Sequence, residues 1–166
     1  MAKQPDFATG KLVAANKPEA KVRQDYEQQL VLGYGYPKDH IDIEVQIPRG
    51  STSFSERADL VVYKSALGRD PTSDIDGIVE FKRPDRSEGI EQLKSYMTAT
   101  SARWGVWTNG TDINYVCRDL KDPTRLRENY LHNVPAFGQH VADVGKLKKS
   151  DLAPFARAEL KVIFGS

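Results

Sequence analysis

Glu80 and Lys82 stand one residue apart in Gly77-Ile78-Val79-Glu80-Phe81-Lys82-Arg83-Pro84. Ile78, Val79 and Phe81 are strand formers, and Gly77 and Pro84 bracket them as breakers. Side chains alternate along a strand, so the Glu80 carboxylate and the Lys82 amine leave on the same face. Upstream, Arg57-Ala58-Asp59-Leu60-Val61-Val62-Tyr63 reads as a second apolar strand, with one acid near its start. If the two strands are neighbours, Asp59 and Glu80 form a carboxylate pair. Hard oxygen donors of this kind suit Mg²⁺ (or Mn²⁺), held by one or two carboxylates with waters completing the shell. A cation there offsets charge developing on a phosphodiester and lowers the pKa of an attacking water. Lys82 could hold or deprotonate that water, or stabilise the transition-state phosphate.

Each feature also has a plainer account. A Glu-x-Lys tripeptide is commonly a solvated pair on an edge strand, and Asp59 beside Arg57 can be a same-face ion pair. Glu27 lies four residues after Arg23, which fits either an i, i+4 salt bridge on a wet helix face or a carboxylate that reaches the metal beside Tyr26. Gln92 and Tyr96 stand at i, i+4 and flank the Ile90-Leu93-Met97 stripe of a helix. They read either as rim and surface, or as cleft residues bonded to a DNA backbone or to the site's acids. Arg83 and Arg86 form a small basic cluster suited to phosphates, or a turn exposing charge to water. Trp104 and Trp107 read as core. Joint occurrence, rather than any single piece, favours the catalytic account.

The elements that must position these residues follow from the patterning. Residues 1–16 are polar and read as an irregular, flexible arm. Asn16 as a cap and Pro18 in the first turn open a helix with Val22, Tyr26 and Leu30 on one face, ended by Gly33 and Gly35. Ile41 to Ile47 alternates strictly and predicts a strand with one wet face. Pro48 to Glu56 reads as a hairpin loop, and the Asp59 and Glu80 strands follow. Asp85 to Glu88 would cap a second helix running to about Ser101. Trp104 to Thr108 and Ile113 to Arg118 are strands joined by the tight-turn signal Asn109-Gly110. Asp122 to Gln139 reads as mostly loop, and Leu152, Phe155, Ala156, Leu160 and Ile163 trace a terminal helical face. The expected fold is α/β, a mixed central sheet flanked by helices in the order α-β-β-β-α-β-β, with the site at the sheet's edge.

Composition narrows the function. At 166 residues and a net charge of +1, nucleic acid must be met by a local patch rather than a global field. A lone Cys117 rules out an internal disulfide and fits a reducing cytoplasm. No apolar run approaches a bilayer span, the first residues have no signal-peptide pattern, and the three histidines show no zinc spacing. Neither a phosphate-binding Gly-x4-Gly-Lys-Ser/Thr loop nor a Rossmann fingerprint is present, so motor or methyltransferase activity would belong elsewhere.

An acid, then Glu-x-Lys, then Gln-x-x-x-Tyr, in that order and on those elements, resembles the PD-(D/E)xK nuclease superfamily. Closer still, the chain resembles the N-terminal nuclease domain of type I restriction enzyme R subunits. The likeness rests on Val22 to Tyr26, Tyr34-Gly35-Tyr36-Pro37, Arg57 to Tyr63, Val79 to Pro84, Gln92 to Tyr96 and Thr108-Asn109-Gly110. Ala58 stands where the motif's name would put a proline. The resemblance implies a magnesium-dependent endonuclease with Asp59 and Glu80 on the metal, Glu27 supporting it and Lys82 catalytic. Gln92 and Tyr96 would form the extra motif of RecB-like nucleases, and with Arg83 and Arg86 would contact DNA. It further implies an arm at 1–16, a nuclease domain at 17–120 and a connector at 121–166 leading to helicase, methyltransferase or specificity parts. Two other readings stay open: a catalytically silent module that binds DNA or docks a subunit, and a repair or recombination nuclease.

Overall fold

The computed structural model describes residues 2–48, 56–119, 121–128 and 134–139. It opens with two short strands, β1 (Lys3–Pro5) and β2 (Leu12–Ala14), paired antiparallel with Lys3 opposite Ala14. This corrects the reading of the first sixteen residues as an irregular arm: Gly10 turns the hairpin at φ 75°, and Asp6, Ala8 and Val13 are buried. Strands of three residues are too short to print an alternating pattern, so polarity alone misled.

Gln24 helps fasten the hairpin to α1 (Pro18–Gln28). Gln24 Oε1 accepts from the Phe7 amide at 2.8 Å, and Gln24 Nε2 donates to the Pro5 carbonyl at 3.3 Å. Pro18 holds the first helical position, where its missing N–H costs nothing. Lys17, not Asn16, is the cap residue, and it makes no side-chain bond. Tyr26 and Leu30 are buried as their spacing requires, and the helix widens into a π-helical turn at Gln29–Gly33.

Six strands make the sheet: β3 (Ile41–Gln46), β4 (Arg57–Tyr63), β5 (Ile75–Phe81), β6 (Trp104–Thr108), β7 (Ile113–Arg118) and β8 (Leu126–Glu128), in that spatial order. Only β5 and β6 run parallel, and α2 (Ile90–Ala99) lies in the crossover between them, as a parallel connection requires. The fold is thus the expected α/β arrangement, enlarged by β8 from a stretch that read as mostly loop. The residues between Pro48 and Glu56, and the terminal face from Leu152 to Ile163, lie outside the described residues.

One core packs on each side of the sheet. Tyr26 and Leu30 meet Leu60, Val62, Val79 and Phe81, whereas Leu93, Tyr96 and Met97 meet Val61 and Ile78. Trp104 belongs to the first core and Trp107 to the second, at 1% and 2% exposure, so neither presents a ring to bases. β5 is buried along its length, and a Cβ on Gly77 would sit 2.2 Å from the Trp104 indole. At the start of α2 the cap is Gly89 at φ 117°, rather than any of Asp85 to Glu88. A Cβ there would meet Lys82 Cε at 2.7 Å, so glycine keeps the amine's place open. The far end of α2 is closed by Arg118, which donates to the carbonyls of Met97, Thr100 and Ala102. No described helix is long and apolar enough to cross a membrane.

Candidate metal centre and nucleic-acid cleft

Asp59 near the start of β4 and Glu80 near the end of β5 meet where the ladder between these antiparallel strands opens. Paired residues run from Tyr63 opposite Ile75 to Leu60 opposite Val79, and the next pair would be Asp59 and Glu80. There side chains replace the backbone ladder: the Asp59 amide donates to Glu80 Oε1 at 3.1 Å, and the Phe81 amide donates to Asp59 Oδ2 at 2.8 Å. On the other flank, Ile43 pairs with Leu60 and Val45 with Ala58, while Glu44 between them takes φ 52° and drops out of the pairing opposite Asp59. A non-glycine residue in that conformation stores about 1–3 kcal/mol of strain. The backbone around Asp59 is thus interrupted on both sides.

Both strands are interior, so the site lies at the strand ends in the middle of the sheet. The plain account of Glu80 as a solvated edge residue fails, because Glu80 is 3% exposed. Burial raises the Glu80 carboxyl to about 9, the nearby Asp59 charge adding to the effect. Burial also raises Asp59, against the Phe81 amide, Glu80 and the charges of Lys82 and Arg23. Two acids pressed together out of water disfavour double ionisation, and a divalent cation relieves that repulsion. Each acid keeps one oxygen, Asp59 Oδ1 and Glu80 Oε2, beyond the two amide bonds. This donor set fits Mg²⁺, which needs only one or two carboxylates and keeps several waters.

In front of the pair is a cleft of about 450 Å³ whose walls include Arg23, Arg57, Lys82, Arg83, Arg86 and Gln92, with Glu19 and Glu88 among them. Lys82 is half-buried and its charge acts on both acids. Arg83 and Arg86 are exposed and pair with neighbours, Arg83 Nε with Asp85 at 2.8 Å and Arg86 with Glu88 at 3.5 Å. Asn109 Nδ2 donates to the Arg86 carbonyl at 2.8 Å, fixing this basic turn to the β6–β7 turn. The same Asn109 accepts from the Thr111 and Asp112 amides through Oδ1, which is why the Thr-Asn-Gly stretch matters to the site.

The structure divides the remaining expected residues. Gln92 reaches the cleft, donating to Tyr96 Oη at 3.0 Å and to Glu56 at 3.4 Å. Tyr96 is fully buried and its hydroxyl donates to the Arg57 carbonyl at 3.1 Å, so it braces β4 and offers no surface to a duplex. Glu27 is not brought to the Asp59–Glu80 pair, and no cluster of three metal-ligating side chains occurs among the described residues. Arg23, one helical turn earlier on α1, lines the cleft, whereas Glu27 is buried against Asp6.

The wet-face salt bridge for Glu27 fails as well. Glu27 is fully buried, and Arg23 pairs instead with Asp6, Nε to Oδ1 at 3.5 Å. Burial raises Glu27 to about 9, with Asp6 adding to the shift and Arg23 opposing it. As two carboxylates Glu27 and Asp6 would have no donor between them; as an acid, Glu27 donates to Asp6. Sequence reasoning missed Asp6 and the cleft position of Arg23. Their signals were the Asp6-x-x-Thr9 turn pattern and an arginine one helical turn before Glu27.

Against known families, the model described as "Type I restriction enzyme R protein N terminus (HSDR_N)" matches residues 18–135. No curated protein and no solved structure matches significantly.

Proposed function

Because the chain belongs to the type I restriction enzyme R protein N-terminal family, a nuclease-type part of restriction systems, we propose that it hydrolyses DNA phosphodiester bonds with Mg²⁺ or Mn²⁺. The observation that carries this reading is the Asp59–Glu80 pair, clamped by backbone amides at adjoining strand ends and opening onto an arginine-lined cleft beside Lys82.

Asp59 and Glu80 would hold the cation through the oxygens left over from those amide bonds. When bound, it would offset charge on the phosphate and lower the pKa of an attacking water. Lys82 shares the face of Glu80 and is placed to donate to a phosphate oxygen or to take a proton from the water. Gln92 would steady the DNA backbone at the α2 wall, with Tyr96 keeping Arg57 and Gln92 in place. Arg83 and Arg86 would add exposed positive charge at the rim. Glu27, sealed behind the cleft, would support the site through Asp6 and Arg23 rather than as a ligand. Helicase, methyltransferase or specificity parts of a restriction–modification complex would supply target choice.

The test is supercoiled-plasmid nicking in Mg²⁺ or Mn²⁺, comparing the parent with Lys82→Ala, alongside calorimetric metal titration of both and of Asp59→Ala. Nicking by the parent that vanishes in Lys82→Ala supports the reading. Metal binding that needs Asp59 without cutting supports a site that awaits its complex. Neither cutting nor metal binding overturns it and leaves a DNA-binding or docking module.

A further inference from the structure

Arg23 is a largely buried cation of the cleft, and its setting comes from the hairpin that precedes the family-matched span. Its side chain is 13% exposed, its charge acts on Asp59, and its Nε lies 3.5 Å from Asp6 Oδ1. Asp6 has no exposed side-chain surface. Its other oxygen, Oδ2, accepts from Thr9 Oγ1 at 2.9 Å and from the Thr9 amide at 3.1 Å, which leaves Oδ1 to face the arginine and the Glu27 carboxyl. Gln24, the next residue on α1, pins the same hairpin through Phe7 and Pro5. Hairpin and helix thus form one unit that carries Arg23 to the end of the sheet.

A guanidinium has five N–H donors in a rigid fork, and Asp6 lies 3.5 Å from Nε without a hydrogen bond. Among the described residues, no hydrogen-bond acceptor takes Arg23's terminal N–H groups, whereas Arg83 donates to Asp85 and Arg86 lies against Glu88. A largely buried guanidinium whose outer donors meet no protein acceptor suits an anion that offers two acceptor oxygens, and phosphate does so bidentately.

We propose that Arg23 is a phosphate-binding residue of this cleft and that Asp6 positions it, making the N-terminal hairpin part of the DNA site. The inference rests on the reading of the cleft as a DNA site and names a largely buried cation that would receive the backbone there.

The experiment is anisotropy titration of a short labelled DNA duplex across a salt series in Mg²⁺, using the full chain with Lys82→Ala so that the strand stays intact. Each phosphate contact contributes about 0.9 to the slope of log affinity against log salt. Adding Arg23→Gln should weaken binding and lower the slope by about one contact, Arg23→Lys should keep the slope, and Asp6→Asn should weaken binding with the slope kept. An unchanged slope in a folded Arg23→Gln protein, with or without weaker binding, gives Arg23 a merely structural role and overturns the proposal. Should Arg23→Gln fail to fold, the other two variants decide: Asp6→Asn binding as tightly as its parent overturns it. No DNA binding by the Lys82→Ala parent sinks the DNA reading of the cleft itself, which Mg²⁺ binding through Asp59 scores separately.

Discussion

Two acid pairs lie on either side of Arg23, and they differ in what they open onto. Asp59 and Glu80 sit at strand ends, each carboxylate tied to a backbone amide, with an arginine-lined cleft in front. Asp6 and Glu27 lie behind, between the hairpin and α1, and neither Glu27 oxygen nor Asp6 Oδ1 meets a hydrogen-bond donor when both are ionised. Burial pushes Glu80 and Glu27 to about the same value, near 9. Equal shifts therefore accompany unequal chemistry. An acid that faces a cleft can exchange its proton for a cation, while one that is sealed keeps the proton and serves as neutral packing for an ion pair. Access, more than acidity, separates a metal site from a structural one.

Substitution should break that symmetry most visibly. Asp59→Asn should abolish both calorimetric Mg²⁺ binding and plasmid nicking, while Glu27→Gln should leave Mg²⁺ binding at the parent's level. Loss of Mg²⁺ binding in a folded Glu27→Gln protein would make Glu27 a ligand and collapse the distinction. Lys82→Ala should keep the metal and lose about 10²–10⁴-fold in cleavage rate, the scale of one acid–base group.

A smaller but sharper contrast lies in pH. An ordinary glutamate releases its proton near 4.5, whereas Glu80 and Glu27 hold theirs to about 9 in the folded chain. Between those values the folded state binds more protons than the unfolded one, so stability falls as pH rises. Melting temperature in a chelator should decline across this window. Saturating Mg²⁺ should remove the Glu80 share, because a carboxylate must be deprotonated to bind metal. The Glu27 share should persist with Mg²⁺ and disappear in Glu27→Gln. A decline that Mg²⁺ abolishes completely would show that the rear pair also takes the cation.

The open pair was legible in the sequence, and the sealed one was half hidden. Asp59, Glu80 and Lys82 announce themselves because charged residues interrupt runs of strand-forming apolar ones, and period-two alternation says which side chains share a face. The α/β order was legible for the same reason, through clear strand and helix periods. Glu27 was readable as an acid on a helix, but the side of the sheet on which α1 packs is a tertiary fact. Asp6 was not readable, since its burial comes from a hairpin whose strands are shorter than any pattern. Tyr96 was found by its spacing and misjudged in its role. Helical spacing placed it beside the cleft without showing that its hydroxyl is spent on Arg57.

Tyr96 supplies the mildest test of how the open pair is held. Its hydroxyl joins α2 to the Arg57 carbonyl, two residues before Asp59, and also accepts from Gln92. Tyr96→Phe keeps the buried ring and deletes those bonds, so stability should fall by about 1 kcal/mol, the usual net worth of a hydrogen bond. The rear pair is braced by the hairpin rather than by α2, so the Glu27 share of the pH-dependent stability should be untouched. Cleavage should drop several-fold while Mg²⁺ binding holds, because the clamping amides of Asp59 and Phe81 remain. A Tyr96→Phe protein that cuts at the parent's rate would show that the strand end is already rigid, and that the opened ladder alone positions Asp59.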